Sequence, residues 1–91
     1  MITILVEMKG KVQGVGFRAF IERSARIFRI TGEVWNCSDG SVKAYVQHAD
    51  SAHIDAFIKL IQDGPAEVES IKLEPITVSP TYETFKIAPT R

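Results

Sequence analysis

The chain changes its hydrophobic period across a cluster of three glycines, and that change limits what it can fold into. Residues 2–9 alternate Ile2, Ile4, Val6 and Met8 against Thr3, Leu5, Glu7 and Lys9, the pattern of a half-buried strand. Gly10, Gly14 and Gly16 then mark a loop where backbone freedom is needed. From Phe17 the spacing is helical. Phe17, Phe20, Ile21, Ala25 and Phe28 share one face, while Glu22, Arg26 and Arg29 share the other. Glu22 and Arg26 stand in the order that favours an i,i+4 ion pair.

Residues 32–36 and 41–47 read as two strands around Ser38, Asp39 and Gly40. With Gly32, Val34 and Asn36 inward against Val42, Ala44 and Val46, Val34 must pair with Ala44 and Asn36 with Val42. That register needs a loop of odd length. A three-residue turn with Gly40 left-handed in a bulge supplies it. Asp50 and Ser51 offer N-caps for a second helix with Ile54, Phe57, Ile58 and Ile61 on its core face, stopped at Gly64 and Pro65. Residues 67–76 form a further strand with Ile71 and Leu73 inward, residues 77–84 are loop, and Phe85 and Ile87 indicate a short last strand.

The order is strand, helix, strand, strand, helix, strand, with a tail. This is the α+β, ferredoxin-like split βαβ plan, a sandwich with two helices on one face of an antiparallel sheet and a short extra C-terminal strand. Residues 1–91 are expected to form a single domain, since the chain is long enough for one core and too short for two. In this topology the first two main strands run the same way. The loop at residues 10–17 and Asn36 therefore meet at one sheet edge.

Composition narrows the function classes. A 45% hydrophobic chain with ordinary glycine and proline counts is not disordered. It contains no run near the ~18 apolar residues of a membrane span and no signal-peptide plan at its N-terminus. A lone Cys37 excludes a disulfide framework and a CxxC site, so the cytoplasm is the expected compartment. Zero net charge argues against broad nucleic-acid binding, but the charge is unevenly placed. Between residues 9 and 29 six cations face Glu22 alone, a net +5, whereas the chain from Gln47 onward carries −3. Such a basic segment suits an anionic ligand, or simply a solvated helix face.

The glycine loop opens a helix, so its amides and the positive helix end form a ready phosphate site. It is neither a Walker loop, lacking Gly-Lys-Ser/Thr, nor a dinucleotide fingerprint, whose glycine spacing differs. Arg18 sharpens the reading. A cation in the first helical turn opposes the helix dipole at a cost of ~0.3 kcal/mol or more, which a bound anion would relieve. The guanidinium fork suits phosphate best. Asn36 stands inward where Val or Ile is expected. It can hold a water but is too weakly basic to deprotonate one, and it can equally start the hairpin turn.

Other candidates carry less. Cys37 in a Cys-x5-Arg phosphatase loop would need arginine where Lys43 stands. His48 and His53 lack a metal partner, Asp39 suits the turn, and Glu67, Glu69 and Glu74 suit a solvated strand face. Trp35 and Tyr45 point to the open sheet face, where partial burial accounts for them. RNA binding on that face lacks its pattern, because Thr3, Leu5, Glu7, Lys43, Tyr45 and Gln47 include one aromatic.

Gly10-x-Val12-Gln13-Gly14-Val15-Gly16-Phe17-Arg18 followed by Gly32-x-Val34-x-Asn36-x-x-Asp39-Gly40-Ser41-Val42 resembles the two signatures of the acylphosphatase family. Gly64-Pro65 and Phe85-x-Ile87 extend the resemblance along the chain. It implies a ferredoxin-like fold and hydrolysis of acyl phosphates to carboxylate and inorganic phosphate, without metal or other cofactor. Carried over, Arg18 and Asn36 are the catalytic residues. Gln13, Gly14, Val15, Gly16, Phe17 and Arg18 form the phosphate-binding loop, and Asn36 orients the attacking water. The expected partners are a small-molecule acyl phosphate, with inorganic phosphate or sulfate as ligand, and neither nucleic acid nor membrane; the expected state is a monomer. Lys43, where an acid is common, and His48-Ala49, in place of a Gly-containing strand exit, depart from the pattern away from its motifs. A second reading is a phosphate- or carbamoyl-phosphate-binding module, like the N-terminal domain of hydrogenase-maturation carbamoyltransferases.

Overall fold

A computed structural model describes residues 1–77 and 81–91. The chain runs β1 (Ile2–Lys11), α1 (Phe17–Ile27), β2 (Thr31–Asn36), β3 (Val42–His48), α2 (Ser51–Gln62), β4 (Glu67–Pro75) and β5 (Phe85–Ile87). The strands form one sheet in the order β4-β1-β3-β2-β5. β1 and β2 both pair antiparallel to the central β3 and therefore run in the same direction. This is the expected ferredoxin-like arrangement, and β5 extends it.

The register is the one the inward residues require. Val34 lies opposite Ala44 and Asn36 opposite Val42. The Cys37 amide donates to the Ser41 carbonyl at 2.8 Å, which closes a three-residue turn with Gly40 at φ +93°. Val6, Met8, Val34, Val42, Ala44 and Val46 thereby share one face of the sheet, and both helices pack on it. Phe17, Ile21 and Ala25 come from α1 and Ile54, Phe57, Ile58 and Ile61 from α2. Phe20 and Phe28 are half-buried at the rim of that core. Ser24 is buried instead, its hydroxyl donating to the Phe20 carbonyl at 2.8 Å. Asp50 caps α2 by accepting from the Ala52 amide at 2.9 Å. Glu22 and Arg26 pair on the exposed side of α1 at 3.8 Å.

Four expectations need correction. Gly10 is not loop: β1 continues to Lys11 through a bulge against β4 between Lys9 and Gly10. The sheet is not wholly antiparallel, because β5 joins β2 in parallel, with Ile87 opposite Val34. Leu73 lies opposite Val6, on the helix side, yet is 48% exposed. Leu73 forms one wall of an open apolar groove with Ile2, Ile4 and Ile58 of α2. Trp35 is buried rather than partly open: the Arg91 guanidinium sits 4.2 Å from its ring centroid and the Tyr45 ring 5.1 Å away. Residues 78–80 of the expected loop at 77–84 lie outside the described residues. Among the described residues no helix is long and apolar enough to cross a membrane.

Gly32 lies close against the backbone of β3. At φ +143°, a Cβ there would sit 1.8 Å from the Tyr45 carbonyl oxygen on β3. Backbone, unlike a flexible side chain, cannot move aside cheaply. Gly32→Ala is therefore expected to destabilise the fold by at least ~2 kcal/mol, from strained φ plus a steric shift of the β2–β3 ladder. Urea unfolding of the two proteins measures this, and an unchanged midpoint would contradict it.

Candidate active site at the β1–α1 loop and the end of β2

The site begins with a helix that has no cap of its own. Gly16 is the N-cap of α1, at φ +74°, and has no side chain with which to bind the first-turn amides. No acidic residue stands in that turn. The first hydrogen bond of the helix runs from the Phe20 amide to the Gly16 carbonyl at 3.1 Å. The amides of Phe17, Arg18 and Ala19 come before it and have no acceptor in their own helix. Gly14 is also left-handed, at φ +76°, and a Cβ on either glycine would meet nothing within 4 Å. These glycines serve backbone conformation rather than packing.

Arg18 follows in that first turn, half-buried, with no ion-pair partner among the described residues. Its charge adds to the positive helix end instead of opposing a negative one. Across from it, β2 ends at Asn36. The Asn36 Oδ1 is buried and accepts no hydrogen bond. Leaving such an acceptor unsatisfied costs ~1–3 kcal/mol, so the position calls for a donor from outside the chain.

These groups share one pocket. Gly14, Gly16, Phe17, Arg18 and Ala19 line it together with Val12, Asn36 of β2 and Ile87 of β5, around about 190 Å³. That far exceeds the ~15 Å³ a single water needs, and leaves room for a tetrahedral anion with a water beside it. Phe17 is almost wholly buried, so what it offers a ligand is its backbone. Val15 is exposed and does not line the pocket. Gln13 turns its side chain away to the hairpin, where Nε2 donates to the Cys37 carbonyl at 2.8 Å and the Ser41 carbonyl at 2.9 Å.

The remaining candidates have other occupations. Asp39 Oδ1 accepts from the Ser41 amide at 2.9 Å and the Ser41 hydroxyl at 2.6 Å, which makes it a turn residue. Those bonds from Ser41 hold its carboxyl below the ordinary range. Lys43 pairs with Glu7 at 3.3 Å. Glu67, Glu69 and Glu74 are exposed along β4. His48 and His53 stack at 4.3 Å, and His48 Nδ1 accepts from the Asp50 amide. They sit at the far end of β3 from the Val42–Asn36 pair, about 20 Å away at ~3.4 Å per strand residue.

Sequence reasoning missed a brace along the outer edge of β2. The Ala88 amide donates to the Val34 carbonyl, the Arg91 amide to the Asn36 carbonyl, and the Ser38 amide to the Arg91 carbonyl, at 2.8, 2.9 and 2.9 Å. Side chains fasten it. Glu33, buried on the sheet face opposite the helices, accepts from the Tyr82 hydroxyl and from the Arg91 guanidinium. Burial alone would raise the Glu33 carboxyl, but the bonds from Tyr82 and Arg91 and the Arg91 charge outweigh it, so its pKa lies below the ordinary 4.5. Burial and the bond to Glu33 push the Tyr82 hydroxyl up. An acid in an outward strand position next to Trp35 was the available signal; nothing local pointed to Arg91.

A carboxyl with a lowered folded-state pKa stabilises the protein above its unfolded value, and that stability is lost as pH falls through the folded value. Melting temperature is therefore expected to drop as pH falls below about 4.5, and to drop less steeply in Glu33→Gln. Parallel acid limbs for the two proteins would rule out this linkage.

Comparison with known proteins agrees with the geometry. The profile of the family described as Acylphosphatase matches residues 4–87. An acylphosphatase of Leuconostoc mesenteroides is 40% identical over 88 residues, covering 97% of each chain. One from Caldivirga maquilingensis is 41% identical over 88 residues, covering 94% of this chain and 93% of that protein. The crystal structure of acylphosphatase from Bacillus subtilis superposes with a TM-score of 0.91 at 26% identity, covering 97% of this chain and 99% of that one. Full-length HypF, in its phosphate- and nucleotide-bound form, matches 98% of this chain at a TM-score of 0.82 and 29% identity, over 12% of its own length.

Proposed function

The chain belongs to the acylphosphatase family, whose reaction is the hydrolysis of acyl phosphates, and from that premise we propose how its residues perform it. The observation that carries the proposal is the shared pocket: Arg18, with no ion-pair partner among the described residues, and an uncapped helix end line it together with Asn36, whose Oδ1 is unsatisfied. The phosphoryl group lies against the amides of the loop and first turn, with the Arg18 guanidinium binding two of its oxygens. Asn36 Oδ1 accepts a hydrogen bond from a water and aims that water's lone pair at phosphorus.

Attack forms the new P–O bond as the bond to the acyl oxygen breaks. The electron pair of that bond leaves with the carboxylate, a stable anion. Arg18 and the amides stabilise the charge that spreads over the equatorial oxygens. The water's proton passes to a phosphate oxygen, giving carboxylate and inorganic phosphate. Only positioning and charge stabilisation are asked of the protein, and the positive field comes from Arg18, the amides and the helix end. The small pocket suits a small-molecule acyl phosphate. The lone cysteine fits a reducing compartment, and we place the protein in the cytoplasm.

The likeness to HypF supports a second reading, a module that binds phosphate or carbamoyl phosphate without turning over simple acyl phosphates. Benzoyl phosphate separates the two. Hydrolysis that persists in excess chelator is expected; binding of inorganic phosphate with no turnover would favour the module.

The two proposed catalytic residues should fail differently. Arg18→Ala loses both phosphate inhibition and turnover, and Arg18→Lys does not restore them, because a point charge cannot reproduce the fork. Asn36→Ala, once shown folded by circular dichroism, keeps phosphate inhibition while kcat falls about a hundredfold or more, the scale for one transition-state contact. Loss of phosphate inhibition in Asn36→Ala but not in Arg18→Ala would reverse the roles.

The mechanism assigns no proton transfer to a histidine or carboxylate. kcat is therefore expected to stay nearly level from about pH 5 to pH 8, and His48→Gln and His53→Gln to remain active. A bell-shaped profile abolished by either substitution would identify a general base.

A further inference from the structure

The Gln13 side chain joins the loop that would hold the phosphoryl group to the turn that follows Asn36. Between residues 12 and 16, Val12, Gly14, Val15 and Gly16 have no polar side-chain atoms, so Gln13 alone can fix this stretch by a side-chain hydrogen bond. Its Nε2 does so at the mouth of the β2–β3 hairpin, donating at 2.8 Å to the Cys37 carbonyl and at 2.9 Å to the Ser41 carbonyl. Two carbonyl acceptors require the NH2 end of the amide, which uses both of its hydrogens. Each carbonyl already accepts one bond within the hairpin, Cys37 from the Gly40 amide at 3.0 Å and Ser41 from the Cys37 amide at 2.8 Å. Gln13 takes up their second lone pairs. Cys37 is the residue after Asn36, and Gln13 the residue before the left-handed Gly14.

We propose that Gln13 is a positioning residue for hydrolysis: its amide sets the distance between the phosphate-binding loop and Asn36. The inference deepens the function proposed above and rests on it. A phosphoryl group held by the loop amides and a water held by Asn36 belong to different segments of chain. Their separation must be right for in-line attack, and a small misplacement of reacting groups costs rate heavily. The Asn36 main chain is held on its other edge by the Arg91 amide. On the side of the loop, Gln13 is the side chain that spans the gap. Val12 and Phe17 are buried at the two ends of this stretch, while a Cβ at Gly14 or Gly16 between them would meet nothing within 4 Å. Gln13 touches neither the phosphoryl group nor the water in this arrangement, so it acts through Asn36.

The test uses Gln13→Glu, which keeps the shape but sets a carboxylate against two carbonyls, and Gln13→Met, which removes the donor without adding charge. Both are compared with the wild type for benzoyl phosphate turnover and for inhibition by inorganic phosphate. The expected result is a kcat loss of about tenfold or more, with the phosphate inhibition constant within about threefold of wild type. In an Asn36→Ala background the same substitutions should cost less than about twofold further, since the group they position is already gone. Equal losses in both backgrounds, or loss of phosphate inhibition, would overturn the positioning role; the latter would make Gln13 a phosphate ligand. Full turnover in both variants would overturn it as well. A wild type that fails to hydrolyse benzoyl phosphate would instead sink the underlying enzymatic reading. Hydrogen exchange gives an activity-independent check: phosphate should slow exchange at the Cys37 and Gly40 amides in wild type and not in Gln13→Met. Equal slowing in both would also count against the proposal.

Discussion

Two strands that pair antiparallel with the same neighbour have no freedom to point in opposite directions. β3 imposes this on β1 and β2, and the remaining features follow from it. The loop leaving β1 and the residue ending β2 reach the same sheet edge, α1 starts there, and its positive end points into the space they enclose. Arg18 at the start of α1 and Asn36 at the end of β2 are far apart in sequence, yet line one pocket. Strand direction, more than any contact, assembles the site.

The site also concentrates what folding alone would avoid. A cation stands in the first turn of α1, the N-cap is a glycine without a side chain, and an amide oxygen is buried without a donor. The other helix shows the ordinary solution: Asp50 caps α2 in the expected way. The contrast within one small fold shows that the irregularities at α1 are local. A single tetrahedral anion with its attacking water would satisfy all three at once.

Much of this was legible in the residues, for identifiable reasons. Period-2 and period-3.6 patterns located the elements because each buries one face, and the parity of Val34, Asn36, Val42 and Ala44 dictated both the register and the odd turn length. Arg18 stood out through the local rule it breaks. What could not be read was long-range and specific. The end of β1 depends on a bulge against β4, and Leu73 is exposed on the edge strand β4 although its register puts it on the helix side. Gln13 in a glycine loop looks like a ligand residue until the hairpin carbonyls are seen beside it. Nothing near Arg91 in sequence announces that its backbone runs beside Asn36 or that its guanidinium meets Glu33 and Trp35.

The brace on β2 bears on how the protein is made. A ribosome delivers the chain from its N-terminus, so the glycine loop, α1 and the β2–β3 hairpin all emerge while the segment from Tyr82 to Arg91 has yet to be synthesised. Until it arrives, the outer edge of β2 is unpaired, Asn36 lacks its main-chain partner, and the Glu33 carboxylate has neither Tyr82 nor Arg91. The β1–α1 side of the pocket is thus made before the segment that braces β2, and the Asn36 side gains its outer main-chain bond only when residues 82–91 arrive. The support under Asn36 belongs to the closed sheet.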